Sequence, residues 1–95
     1  MARPRINERQ RAMIEQVGRN LARLRKERKL SQERLAEMVG ADREYVSECE
    51  TGKTNFSIVR ALEFCEALGA NLADLSEGID LSAPLPSDDA PPRTA

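Results

Sequence analysis

The sequence predicts an all-α domain of five helices followed by a disordered tail. Three observations carry that prediction. Apolar residues recur at three- and four-residue steps, the period of a helix rather than a strand. Asn7, Ser31, Asp42, Ser57 and Asn71 each precede a periodic stretch, where their side chains can accept from free N–H groups. From residue 83 onward the composition shifts to Pro, Ser, Asp and Ala, which cannot bury enough apolar surface to offset the entropy of ordering.

The residues before Asn7 (MARPRI) are basic and contain Pro4, and read as a mobile arm over residues 1–7. Asn7 with Gln10 has the spacing of a capping box. Ile14, Val17, Leu21 and Leu24 then form one apolar stripe, so the first helix is expected over about Glu8–Arg28. Gly18 lies inside it. It weakens the helix by about 1 kcal/mol relative to Ala, and either splits it or permits close packing.

The stretch Ser31–Lys53 reads as two short helices and a tight turn. Ser31 caps Gln32–Met38, with Arg34 where a full capping box would have Glu or Gln. Leu35 and Ala36 face inward, and Gly40 suits a left-handed end. Asp42 caps the next helix, in which Val46 and Cys49 turn inward while Arg43, Glu44, Ser47 and Glu48 turn outward. Gly52 ends it. Such a pair is a helix-turn-helix in outline. Ser57 caps a fourth helix, Ile58–Leu68, expected to turn Ile58, Ala61, Leu62, Cys65 and Leu68 to the core before Gly69. Asn71 caps a last helix, Leu72–Glu77, inserting Leu72 and Leu75. The domain is thus expected over residues 8–78, and the Pro-rich tail over 79–95.

With 95 residues, 40% apolar and only 3% aromatic, one small aliphatic core is expected. No apolar run reaches membrane-spanning length and none near the N-terminus resembles a signal peptide, so a soluble, cytoplasmic chain is expected. Cys49 and Cys65 at inward positions read as buried free thiols, a disulfide being the competing reading. With no His, no metal site is expected, and no cofactor. No nucleophile stands beside a base, no Gly-rich loop could hold phosphate, and paired carboxylates fall only on solvated faces; enzymatic activity is not expected.

The net charge of −1 hides a polarity. Residues 1–30 hold ten Lys/Arg and three acids, and the remainder five and thirteen. The basic half suits phosphate, although a solvated basic helix with no ligand reads equally well.

The pattern L-R-x-x-R-x-L-S-Q-x-x-L-A, then Gly, then Y-V-S-x-x-E-x-G-K, then L-G and L-x-x-L is carried by Leu24, Arg25, Arg28, Leu30, Ser31, Gln32, Leu35, Ala36, Gly40, Tyr45, Val46, Ser47, Glu50, Gly52, Lys53, Leu68, Gly69, Leu72 and Leu75. It resembles the DNA-binding domains of the Xre/Cro/phage-repressor helix-turn-helix family, over roughly Gly18–Leu75. The resemblance implies a five-helix lambda-repressor-like fold. It also implies a sequence-specific transcriptional regulator of bacterial or phage type, of the Cro, controller-protein or self-repressing antitoxin kind, cytoplasmic and nucleoid-associated when bound. A departure is Lys29, where the family often has Gly.

In that family Gln32 would touch the DNA backbone and often a base edge, and Lys53, Thr54 and Asn55 would sit on phosphate. The second helix of the pair would enter the major groove. Its outward residues Arg43, Glu44, Ser47 and Glu48, with Tyr45 beside the groove, are then the candidates for contact. Arg43 suits guanine O6 and N7, and Glu44 suits cytosine N4, each giving about 1–3 kcal/mol of discrimination. Glu50 would pair with Arg25 as a buried structural ion pair. Asp42, Glu44, Glu48 and Glu50 nonetheless set four acids against one Arg, a poor match to phosphate. Glu48 stands where Arg, Lys or Gln is common.

Double-stranded DNA and a second copy of the chain are the expected partners. The dimer is suggested by the family and by Phe56, Val59, Phe64, Ile79 and Leu81, which exceed what one small core needs. Two alternatives remain open. One is a protein-interaction module, such as an antitoxin or a polymerase-binding regulator, whose acidic second helix does not read DNA. The other is non-specific coating of DNA by the basic arm.

Overall fold

The computed structural model describes residues 6–81. Five helices follow in order: α1 (Glu8–Glu27), α2 (Gln32–Val39), α3 (Arg43–Glu50), α4 (Ile58–Leu68) and α5 (Leu72–Leu75). The basic arm and the Pro-rich tail expected from sequence fall largely outside the described residues.

Each start is set by the expected cap. The Gln10 N–H donates to Asn7 Oδ1 at 2.7 Å while the Asn7 N–H donates to Gln10 Oε1 at 2.9 Å, a reciprocal box. Ser31, Asp42, Ser57 and Asn71 accept from Arg34, Tyr45, Arg60 and Asp74 N–H groups in the same way. Gly40 ends α2 at φ +69°, a conformation that side chains other than glycine's rarely adopt. Lys29 takes the same left-handed region, φ +58°, after α1, and is the one non-glycine among the described residues to do so. The backbone there keeps the geometry although the side chain opposes it.

All five helices feed one core. Leu21 and Leu24 from α1, Leu35 and Ala36 from α2, Val46 and Cys49 from α3, Ala61, Phe64, Cys65 and Leu68 from α4, and Leu75 from α5 are buried. Both cysteines are free thiols. α1 stays unbroken through Gly18 because the missing side chain is what lets it approach α3. A Cβ there would stand 2.5 Å from the Cys49 carbonyl oxygen and 2.7 Å from that of Glu50.

The fourth helix is rotated from its expected setting. Phe64 is fully buried, whereas Ile58 and Leu62, expected inside, are 62% and 50% exposed. The sequence of α4 offers two adjoining apolar stripes, and the one holding the bulky Phe64 is buried; burying such a side chain is worth roughly 1.5–3 kcal/mol. Phe64 is therefore not surplus, and Phe56 packs edge-on against it with centroids 5.4 Å apart. α5 is also shorter than expected, and Leu72 at its first position is exposed rather than inserted.

Three helix ends are held by polar side chains from distant parts of the chain. Arg28 Nε donates to Leu68 O at 2.6 Å, Arg60 Nη1 to Val39 O at 2.6 Å, and the buried Asn20 Nδ2 to Leu75 O at 2.7 Å. These carbonyls have no partner within their own helices, so each contact removes an orphan acceptor. No buried side-chain nitrogen or oxygen among the described residues is left unbonded.

Candidate nucleic-acid interface

The site is built on the turn between α2 and α3. α3 is a helix of eight residues, and a helix with its side chains is about 10–12 Å across, close to the width of a B-DNA major groove. Val46 and Cys49 anchor its inner face with no exposure, which fixes the opposite face outward. Arg43, Glu44 and Glu48 are exposed there; Ser47 is half-buried. None of the three exposed side chains makes an ion pair among the described residues. Their charges are available to a ligand, and the sum is negative.

Tyr45 is set differently. Its ring is half-buried and stacks on Phe64 with centroids 6.4 Å apart, and the Arg60 guanidinium lies 5.0 Å over it. Burial raises the phenol above its usual range. The side chain is held on the flank of α3 between two helices.

Arg25 and Glu50, expected to pair, are both nine-tenths buried. Arg25 Nε donates to Glu50 Oε2 at 2.6 Å and Nη2 to Oε1 at 3.1 Å, a two-pronged contact. Arg25 Nη1 also donates to Leu30 O at 2.8 Å. Gln32, at the first position of α2, donates from Nε2 to Glu50 Oε1 at 2.9 Å. One carboxylate thus joins α1, α2 and α3. Glu50 is a scaffold group, although it stands on the presented helix.

Beyond α3, the Lys53 N–H closes the helix end on Glu48 O at 2.9 Å, leaving its ammonium exposed. Thr54 and Asn55 lead away from α3 and line an apolar groove of about 710 Å³ together with Met13, Ile14, Phe56, Ile58 and Leu72. The structure therefore sets Arg43, Glu44 and Glu48 on the exposed side of α3 with Ser47 half-buried among them, ties Gln32 at the start of α2 to Glu50 at the end of α3, and sets Thr54 and Asn55 toward a second surface. Sequence reasoning gave no role to Arg60 or Asn20. Their partners lie 21 and 55 residues away, and no local pattern announces them.

Among the described residues no group of His, Cys, Asp and Glu is placed to hold a metal ion. No helix among them is long and apolar enough to cross a membrane.

Residues 16–77 match the model of a family described as helix-turn-helix domain. Control protein C.MunI of Mycoplasma sp is 41% identical over 64 residues, 66% of this chain and 86% of that protein. The HTH-type transcriptional regulator y4dJ of Sinorhizobium fredii is 37% identical over 59 residues, 62% of this chain and 77% of that protein. Among solved structures, the restriction-modification controller protein C.AhdI from Aeromonas hydrophila superposes with a TM-score of 0.66 at 38% identity, covering 68% of this chain and 94% of that one. The clp gene regulator ClgR from C. glutamicum does so with a TM-score of 0.64 at 32% identity, over 66% and 82%.

Proposed function

The chain belongs to the helix-turn-helix domain family and is a DNA-binding transcriptional regulator, and from that premise we propose that it reads a palindromic operator as a homodimer of controller-protein type. The observation that carries this reading is α3 itself: anchored inward by Val46 and Cys49, it presents Arg43, Glu44 and Glu48 outward, and its last residue, Glu50, is bonded to Gln32 at the start of α2. With α3 in the major groove, Arg43 forks onto guanine and Glu44 and Glu48 accept from cytosine amino groups. Gln32, Ser47 and Lys53 fix the register on the backbone, with Tyr45, Thr54 and Asn55 at the margin.

The acids serve discrimination. A carboxylate that meets no amino donor stands unpaired near phosphate, so other sequences are rejected. The second copy covers the apolar surface of Ile58, Val59, Leu62 and Leu72, which is large for so small a chain. Half-sites then lie about one helical turn apart, roughly 34 Å. The setting is the cytoplasm, on the nucleoid.

The exposed acids also favour a second reading, in which α3 binds a protein. Selection from a pool of random duplexes, with the wild type and a Glu44→Gln/Glu48→Gln variant, separates the two. A recovered palindrome whose bases shift in the variant is expected. No enrichment by a folded wild-type dimer would overturn the DNA reading in favour of a protein partner.

A further inference from the structure

An acidic reading helix leaves much of the attraction to DNA to come from elsewhere, and beside Arg43 and Lys53 the structure offers a basic face on α1. On α1, Arg19, Arg23 and Lys26 stand at four- and three-residue steps, on the side opposite the buried Leu21 and Leu24. With Ala22, Glu27 and Glu50 they line a shallow depression.

The cations of α1 are unequally engaged. Arg25 is neutralised by Glu50, Arg23 is shared between Glu27 and Glu77, and Arg28, just past the helix, is bound to Leu68 O and paired with Glu27. Arg19 donates to the neutral Gln16 at 2.8 Å, and among the described residues neither Arg19 nor Lys26 makes an ion pair. Both are exposed, and two helical turns set them about 10 Å apart along the axis.

Their position is fixed relative to the presented helix. α1 rests on the last carbonyls of α3 at Gly18, and Glu50, which ends α3, forms one wall of the depression. The carboxylate of the same residue also holds Gln32. Glu50 therefore adjoins both Gln32 and the depression that Arg19 and Lys26 line. With α3 lying in a groove about as wide as a helix with its side chains, roughly 12 Å, groups that flank the end of α3 face the strand bordering that groove.

We propose that the Arg19–Lys26 face of α1 is a phosphate-binding site that clamps the DNA backbone beside the α2 N-terminus. The inference rests on the reading that α3 enters DNA. It assigns sequence choice to α3 and sequence-independent attraction to α1. The face carries no base-reading role, so it should strengthen binding to every duplex alike.

The test is a salt titration of binding to the selected operator and to a random duplex. Three proteins are compared: the wild type, Arg19→Gln/Lys26→Gln, and a control, Arg9→Gln/Arg11→Gln, that removes equal charge two turns or more further up α1. Thermal melting confirms that all three fold. Each phosphate contact contributes about 0.9 to the slope of log affinity against log salt. The Arg19/Lys26 variant should lose about 1.8 in slope on both duplexes. Equivalently, between 50 and 200 mM salt its affinity falls about tenfold less than the wild type's. The control should keep the wild-type slope. A wild-type slope in the Arg19/Lys26 variant, or an equal loss in the control, would overturn the site while leaving operator reading intact. A wild type that binds neither duplex would overturn the DNA reading, and this site with it.

Discussion

Arg25 and Glu50, twenty-five residues apart, meet in a two-pronged ion pair that ties the first helix to the end of the third, with Nε 2.6 Å from Oε2. Both groups left water on folding, and the contact repays that desolvation only while both remain. Arg25→Ala should cost about 3–5 kcal/mol, because it strands a buried carboxylate that also receives Gln32. Urea unfolding measures it directly. Arg25→Met/Glu50→Leu should recover part of the loss. An unchanged midpoint for Arg25→Ala would mean that the pair contributes nothing.

Gly18→Ala sets two effects against each other. Helix propensity favours Ala by about 1 kcal/mol. The added Cβ would meet two backbone carbonyls inside 3 Å, which cannot rotate away as a side chain could. Overpacking of this kind costs about 1–3 kcal/mol, so net destabilisation is expected. A raised melting temperature for this variant would show that α1 and α3 separate easily.

Burial pushes the Cys49 thiol up from 9.0 to about 11. The folded state then keeps a proton that the unfolded chain gives up, so stability is full below pH 9 and falls as pH rises from 9 toward 11. The loss amounts to roughly 2–3 kcal/mol at its limit. Cys49→Ala should flatten this part of the pH–stability curve. Alkylation at pH 8 should label neither cysteine until the protein is unfolded, since both are buried.

Ile58 and Leu62 are exposed on α4, so a charge there costs the monomer little. Ile58→Glu/Leu62→Glu should leave the circular dichroism spectrum and melting curve of the monomer near wild type. Under the proposed assembly it should convert a dimer into a monomer on sedimentation, with weakened operator binding. Sedimentation of the variant as a dimer would move the interface elsewhere.

The helix starts were legible because their signal is local: Asn7 with Gln10, Asp42 with Tyr45 and Ser57 with Arg60 interact across three residues. The outward face of α3 was legible for the same reason, once Val46 and Cys49 set its period. The rotation of α4 was not. Leu62 and Phe64 compete for one core, and residue volume rather than hydrophobic period decides between them. The supports from Arg28, Asn20 and Arg60 were also hidden, because each depends on where another helix ends. Tyr45 shows the limit within the site: its helical position set it beside the outward face, but the ring's stacking on Phe64 and its place under Arg60 depend on another helix.

The hydrogen bond from Gln32 to Glu50 bears on the entropy of association. A long amide side chain free in water loses roughly 0.5–1.5 kcal/mol when a partner immobilises it. Here one N–H of the amide is tethered at 2.9 Å, while its second N–H makes no hydrogen bond among the described residues. In the proposed complex that group meets the DNA already oriented, its freedom spent when the domain folded. The same carboxylate that stabilises the domain thereby lowers the ordering cost of contact, and shortening Gln32 by one methylene, as in Gln32→Asn, removes this preorganisation without removing an amide.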